Sequence, residues 1–187
     1  MQPQFSLPLI AALLLASQII APAIGQRSPK NLDEAFGLGG SIGITLIVAI
    51  TLHWPIAHLL LQPFGLQFLN ILIAVPLIAT SAALVEMLLH KKLPKYFPIE
   101  GNLQPQIIAG AFIVALPLIQ NAMLSFDDAL LRAALYGIGA KLLIAVFHAV
   151  REHSANTEIP APLRGPAIDF VSAGLLVAAL GGIASVF

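Results

Sequence analysis

Three ionisable side chains interrupt otherwise apolar stretches of this 187-residue chain: Glu86, Lys141 and Asp169. A lysine at the centre of a membrane helix costs about 2.5–3.5 kcal/mol on insertion scales, so Lys141 must find a partner, face water or lose its proton. It stands about nine residues, or roughly 14 Å at 1.5 Å per residue, from the end of its own apolar run. Its stem can reach toward that end. Glu86 and Asp169 each lie about one turn inside other runs, so Lys141–Glu86 or Lys141–Asp169 pairing is feasible. An intramembrane charge network of this kind has two readings. One is an ion or proton relay. The other is a structural pair that locks three helices, and nothing else in these runs marks a relay.

The remaining polar residues point to interfaces and caps. His53, Trp54 and His58 lie at one end of a run, where histidine and tryptophan form interfacial belts. The five-residue spacing of the two histidines misses the i, i+4 geometry that two helix-borne metal ligands prefer. His148 and His153 flank Arg151 and Glu152 and read as headgroup contacts. Ser125-Phe126-Asp127-Asp128 reads as a helix cap with acidic charge at the positive end of the dipole. Gly37, Gly39 and Gly40 follow no strand and precede no lysine, so they form no phosphate loop. No metal site is expected. The chain has no cysteine, which excludes disulfides, Cys-ligated zinc or iron–sulfur sites and Cys nucleophiles.

These groups must be positioned by elements in lipid. Hydrophobic residues make up 58% of the chain and charged ones 10%, with a mean hydropathy of +0.92. Soluble domains carry about 25% charged residues, so this composition cannot cover a soluble globule. The zero net charge gives no sign of a nucleic-acid partner. Six apolar runs follow: about Phe5–Gly25, Ala35–Leu61, Leu66–Leu89, Leu103–Leu124, Asp128–Val150 and Gly165–Phe187. Each has about 20 residues or more, enough for a helix to cross a hydrocarbon core of ~30 Å. The expected fold is an all-α integral membrane protein of six transmembrane helices, one membrane domain over residues 1–187. Ala21-Pro22-Ala23 resembles a signal-peptide cleavage site, but nothing basic precedes the first run, so a retained helix is expected.

Orientation follows from the basic residues. Arg27, Lys30, Lys91, Lys92, Lys95, Arg151 and Arg164 fall in alternate loops on one side, while only Arg132 lies near the other. The positive-inside rule makes the first side cytoplasmic and puts both termini outside.

Three helices followed by three place the halves, about 1–95 and 96–187, in opposite orientations. A weak echo supports an inverted 3+3 repeat. Ile42-Gly43-Ile44-Thr45-Leu46-Ile47-Val48-Ala49 resembles Ile138-Gly139-Ala140-Lys141-Leu142-Leu143-Ile144-Ala145, and Pro22 and Pro117 fall at matching offsets. Proline and glycine are also simply common in membrane helices. Small residues four apart, at Gly39 and Gly43, Ala133 and Gly137, and Gly174, Ala178 and Gly182, read as helix–helix contacts within the bundle or with partner subunits.

Longer motifs carry a family resemblance. Ala149-Val150-Arg151-Glu152, then Ile159-Pro160-Ala161-Pro162-Leu163-Arg164-Gly165-Pro166-Ala167-Ile168, then Ser172-Ala173-Gly174-Leu175 resemble the end of the A subunit of the Rnf electron-transport complex. That family also includes the D and E subunits of sodium-pumping NADH:quinone reductase. Val85-Glu86-Met87, Leu135-Tyr136-Gly137 and Lys30-Asn31-Leu32-Asp33-Glu34-Ala35-Phe36-Gly37 extend the likeness over nearly the whole chain.

The resemblance implies six helices in an inverted repeat and a bacterial inner-membrane location. It implies pairing with a homologous subunit of opposite topology, together with other Rnf/Nqr-type subunits in the lipid bilayer. In the family, four cysteines from such a pair hold a [2Fe–2S] cluster that passes electrons across the membrane, coupled to sodium or proton movement. The family's Asn-Asn in the first helix corresponds here to about Ser17-Gln18, and its two cysteines to about Ser28 and Ala111. Neither serine nor alanine supplies a thiolate, so no cofactor is expected on this chain, and flavins are expected only on partner subunits. Pro166 and Asp169 are further departures. Three readings follow: a membrane subunit of a redox-driven ion pump without its own cluster ligands, a small inverted-repeat ion transporter with Lys141, Glu86 and Asp169 in its path, and a non-catalytic scaffold subunit.

Overall fold

The computed structural model describes residues 7–23, 25–26, 28–29, 31–92, 103–120, 125–155 and 166–186. All regular elements among them are helical. They are α1 (Leu7–Ala23), α2 (Leu32–Ile56), α3 (Asn70–Lys92), α4 (Gln104–Gln120), α5 (Phe126–Ala155) and α6 (Pro166–Val186). A π-helical turn, Ala57–Leu61, continues α2, and a short 3₁₀ turn, Gln67–Leu69, leads into α3.

Each apolar run of the sequence thus contains a helix, but the helices differ in length. Leu32–Leu61, Gln67–Leu89 and Phe126–Ser154 are long and apolar enough to cross a membrane. α1 and α4 have 17 residues each. That is about 26 Å, short of a ~30 Å hydrocarbon core. α1 is stopped by backbone chemistry that hydropathy does not register. Gly25 adopts φ +80°, its N–H donates to the Pro22 carbonyl at 3.1 Å, and the Gln26 N–H donates to the Ala21 carbonyl at 2.9 Å. This bond pair is the Schellman ending, which favours glycine because a Cβ disfavours positive φ.

The helix starts obey local rules. The Ser125 hydroxyl donates to the Asp128 carboxylate at 2.8 Å, and its oxygen accepts the Asp128 N–H at 3.3 Å, which caps α5 as expected. Asp33 and Glu34 occupy the first turn of α2, where the helix dipole favours anions. α6 opens on Pro166, whose missing N–H costs nothing at a first helical position.

α2 is the central strut, packing against α3, α4 and α5. Leu38, Ile42 and Leu46 of α2 are fully buried with Ile78 of α3, Ile107 of α4 and Ile144 of α5. The α2–α5 contact is the most extensive. Its two backbones touch: a Cβ on Gly39 would stand 2.7 Å from the Cα of Lys141, and one on Gly43 would stand 3.2 Å from the Cα of Gly137. The small-residue ladders of these helices therefore make a contact within the chain. The ladder of α6 does not, since Gly174 faces open space and Ala178 is exposed. α6 instead rests on α1 and α5 through a second core of Leu15, Ile19, Phe147 and Ala173.

Candidate functional site

Asp169 does not meet Lys141. Its carboxylate, on a residue only 7% exposed, pairs with the Nε of Arg151 at 3.2 Å. The same guanidinium donates through Nη1 to the Oγ of Ser28 at 3.0 Å. One arginine at the end of α5 thus ties the first turn of α6 to the segment between α1 and α2. The feasible Lys141–Asp169 pair does not form, because Arg151, ten residues and about 15 Å along α5 from Lys141, stands level with α6's first turn and takes the carboxylate.

Lys141 is exposed on α5, and its ammonium lies 5.5 Å from the Phe36 ring centroid. A cation over an exposed aromatic ring gains about 0.5–1 kcal/mol. The packing of Lys141 on Gly39 sets its depth. Gly39 is only six residues, about 9 Å, from Asp33 in the first turn of α2. The side chain leans toward Phe36, nearer still to that end of α2. Glu86 is half-buried on α3, which packs on α2 and α4. Lys141 and Glu86 thus belong to helices whose largest contact is with α2 in both cases.

Ser28 and Ala111, the positions matched to family cysteines, are in unlike surroundings. Ser28 is occupied by Arg151. Ala111 is fully buried on α4. Beside it, a Cβ on Gly110 would stand 2.6 Å from Ile42 Cδ1 and 3.3 Å from Leu14 Cδ1. Aliphatic side chains close this part of α4, and no thiolate exists anywhere in the chain. These residues do not fit a [2Fe–2S] cluster. On α1, the neighbouring Gln18 is 3% exposed and donates to Ser17 Oγ at 3.5 Å.

A second polar cluster lies at the other end of α2, where an interfacial belt is expected. His53 is instead buried, at 6% exposure. Trp54 stacks on His58 at 4.1 Å between ring centroids and meets Phe126 of α5 edge-on at 5.3 Å. His58 Nδ1 lies 3.2 Å from the Trp54 carbonyl, which requires that nitrogen to carry the proton. Asn70 of α3 donates from Nδ2 to the Ile119 carbonyl of α4 at 3.3 Å. His53, Trp54, His58 and Asn70, with Ile119, line a cavity of about 30 Å³. Two sequence features signal it: Pro55, which removes a helix hydrogen bond just before the π turn, and Asn70, a lone amide opening an apolar run. Among the described residues, no group of three or more His, Asp or Glu could hold a metal ion.

Comparison with known proteins places this geometry. Residues 15–187 match the family model described as "Rnf-Nqr subunit, membrane protein". The chain is 33% identical over 159 residues to the A subunit of the ion-translocating oxidoreductase complex of Azoarcus sp., covering 83% of this chain and 81% of the relative. It is 29% identical over 185 residues to the protein of that name from Rhodobacter capsulatus, covering 96% of each. It is 28% identical over 154 residues to the A subunit of the proton-translocating ferredoxin:NAD(+) oxidoreductase complex of Clostridium ljungdahlii, covering 82% of this chain and 80% of the relative. With a match across nearly its whole length, the chain belongs to the Rnf-Nqr family of membrane proteins.

Proposed function

We propose that this chain is a membrane subunit of an Rnf-type, ion-translocating electron-transport complex, and one that contributes no ligand to the family's iron–sulfur cluster. The family match over residues 15–187 carries the first half of this reading. The absence of cysteine and the aliphatic packing around Ala111 support the second. The chain would work with other subunits of the complex, including a homologue of opposite topology. Flavin would be held by partners.

The finer architecture belongs to the same proposal. Six helices cross a bacterial inner membrane as an inverted 3+3 repeat, with both termini outside. The packing supports it: α3 lies on α4 as α6 lies on α1, and the related pairs α1–α4 and α2–α5 each pack together. Rotating one half onto the other maps these contacts onto themselves. Lys141, Glu86 and Asp169 then sit toward the cytoplasmic ends of their helices. Asp169 acts through Arg151 as a clamp on the first loop, which favours a structural over a relay role.

Purification from native membranes tests the reading. An affinity-tagged chain should co-purify with a homologous membrane protein and with flavin-bearing partners. Recovery of a lone homodimer without redox partners would instead support the small-transporter alternative. Iron analysis and EPR of the intact complex would then determine whether a cluster persists on partner ligands alone.

A further inference from the structure

The polar pocket at the end of α2 lies at the opposite end of that helix from Ser28, and its chemistry stands whether or not the chain serves a redox complex. Two buried atoms of residues lining it have no hydrogen-bond partner: Nε2 of His53 and Oδ1 of Asn70. The Asn70 amide is fixed in orientation by its bond to the Ile119 carbonyl, which leaves Oδ1 as an acceptor only. Nε2 of His53 can accept or donate according to tautomer. Buried polar atoms are rarely left unpaired, and two of them beside one void point to something that fills it.

The void also has the right size. Its volume of about 30 Å³ exceeds the ~10–15 Å³ that one water molecule needs. Gln67, which also lines the pocket, is exposed. The polar lining is amide, imidazole and indole, without a carboxylate. Such a lining suits a neutral molecule that both donates and accepts hydrogen bonds. It suits an alkali cation poorly, because hard cations prefer oxygen ligands and carboxylate charge.

We propose that this pocket binds an ordered water molecule, held between His53 Nε2 and Asn70 Oδ1. The water joins α2 to α3 across the π turn and, through Asn70, to α4.

X-ray radiolytic labelling of the full-length purified protein tests this, because bound water yields hydroxyl radicals beside the residue that holds it. His53 should be oxidised well above the level of Phe147, which is fully buried in the second core. Asn70→Leu, which removes the acceptor, should reduce His53 labelling several-fold. Helicity and a melting temperature close to the parent's in the leucine variant would show that the loss is not misfolding. His53 labelling at the level of Phe147, or labelling indifferent to Asn70→Leu, overturns the proposal. Anomalous density from thallium(I) in the pocket would assign a cation there and overturn it equally.

Discussion

Gly43 and Gly137 meet backbone to backbone in the contact between α2 and α5, such that a Cβ built on Gly137 would stand 2.8 Å from the Cα of Gly43. With Gly39 against Lys141 one turn away, this seam brings the backbones of α2 and α5 into direct contact. Side chains at these positions would hold the helices apart and deny α2 and α5 the dispersion contacts that drive association in lipid.

Gly137→Ala should therefore destabilise the protein by about 1–3 kcal/mol, as overpacking does, since the atom it strikes is backbone and cannot swing aside. Gly174→Ala is the control. Its new methyl meets nothing within 4 Å, and alanine favours the helix. In thermal unfolding of the detergent-purified chain, the first variant should melt several degrees lower and the second no lower than the parent. Equal melting temperatures for Gly137→Ala and the parent would mean that α2 and α5 do not meet through this pair.

The Arg151–Asp169–Ser28 clamp makes a different prediction. Hydrogen bonds to charged groups are worth about 1.5–3 kcal/mol, and Arg151→Ala removes two of them while leaving the Asp169 carboxylate buried and unpaired. The partial exposure of the Arg151 side chain, 33%, moderates the loss. The double variant Arg151→Met with Asp169→Leu should cost less than the sum of its single changes, because it strands no charge. The parent has no cysteine, so Gln26→Cys provides a clean reporter on the first loop. Its maleimide labelling should accelerate in the Arg151→Ala background. Unchanged labelling would show that the arginine does not restrain that loop.

Lys141→Met should fold, assemble and sustain ion flux at the parent level, with stability unchanged or slightly raised. Among the described residues Lys141 has no ion pair to lose, and only its contact with Phe36 disappears. A variant that folds but loses ion flux would restore the relay reading.

What could be read from the residues alone depended on whether the relevant force was local. The Ser125 cap and the Gly39–Gly43 and Ala133–Gly137 ladders are set by neighbours within a few positions, and the structure uses each as expected; each of the six apolar runs contains a helix, of which three are long and apolar enough to cross a membrane. The Gly174–Ala178–Gly182 ladder has the same spacing yet faces outward, because spacing says that a helix can be approached closely, not by what. Lys141 looks stranded when depth is counted along α5 alone. Its true depth depends on the α2–α5 register, which no local pattern encodes. Arg151 reads as a loop charge that sets topology, and its bond to Ser28, 123 positions away, emerges only when α1, α5 and α6 are assembled. His53 looks interfacial until Pro55, the π turn and Asn70 enclose it.

The proposal that this chain contributes no ligand to an iron–sulfur cluster can be tested by putting thiols at the two matched positions. Ser28→Cys and Ala111→Cys together restore two ligand types but not a site. At position 28 the thiol would lie beside the Arg151 guanidinium, which favours thiolate and reactivity. At position 111 it would enter a fully buried aliphatic environment, where desolvation opposes the thiolate that iron requires. Ile42 and Leu14 already crowd the neighbouring Gly110, so the core would have to open to admit an inorganic cluster. The double variant, purified within the complex and reconstituted with iron and sulfide, should therefore gain no iron and no reduced binuclear EPR signal over the parent complex. Maleimide should label the cysteine at position 28 but not the one at position 111. Stoichiometric additional iron with such a signal would mean that the aliphatic packing around Ala111 yields readily, and that only the two side chains separate this chain from a cluster-bearing relative.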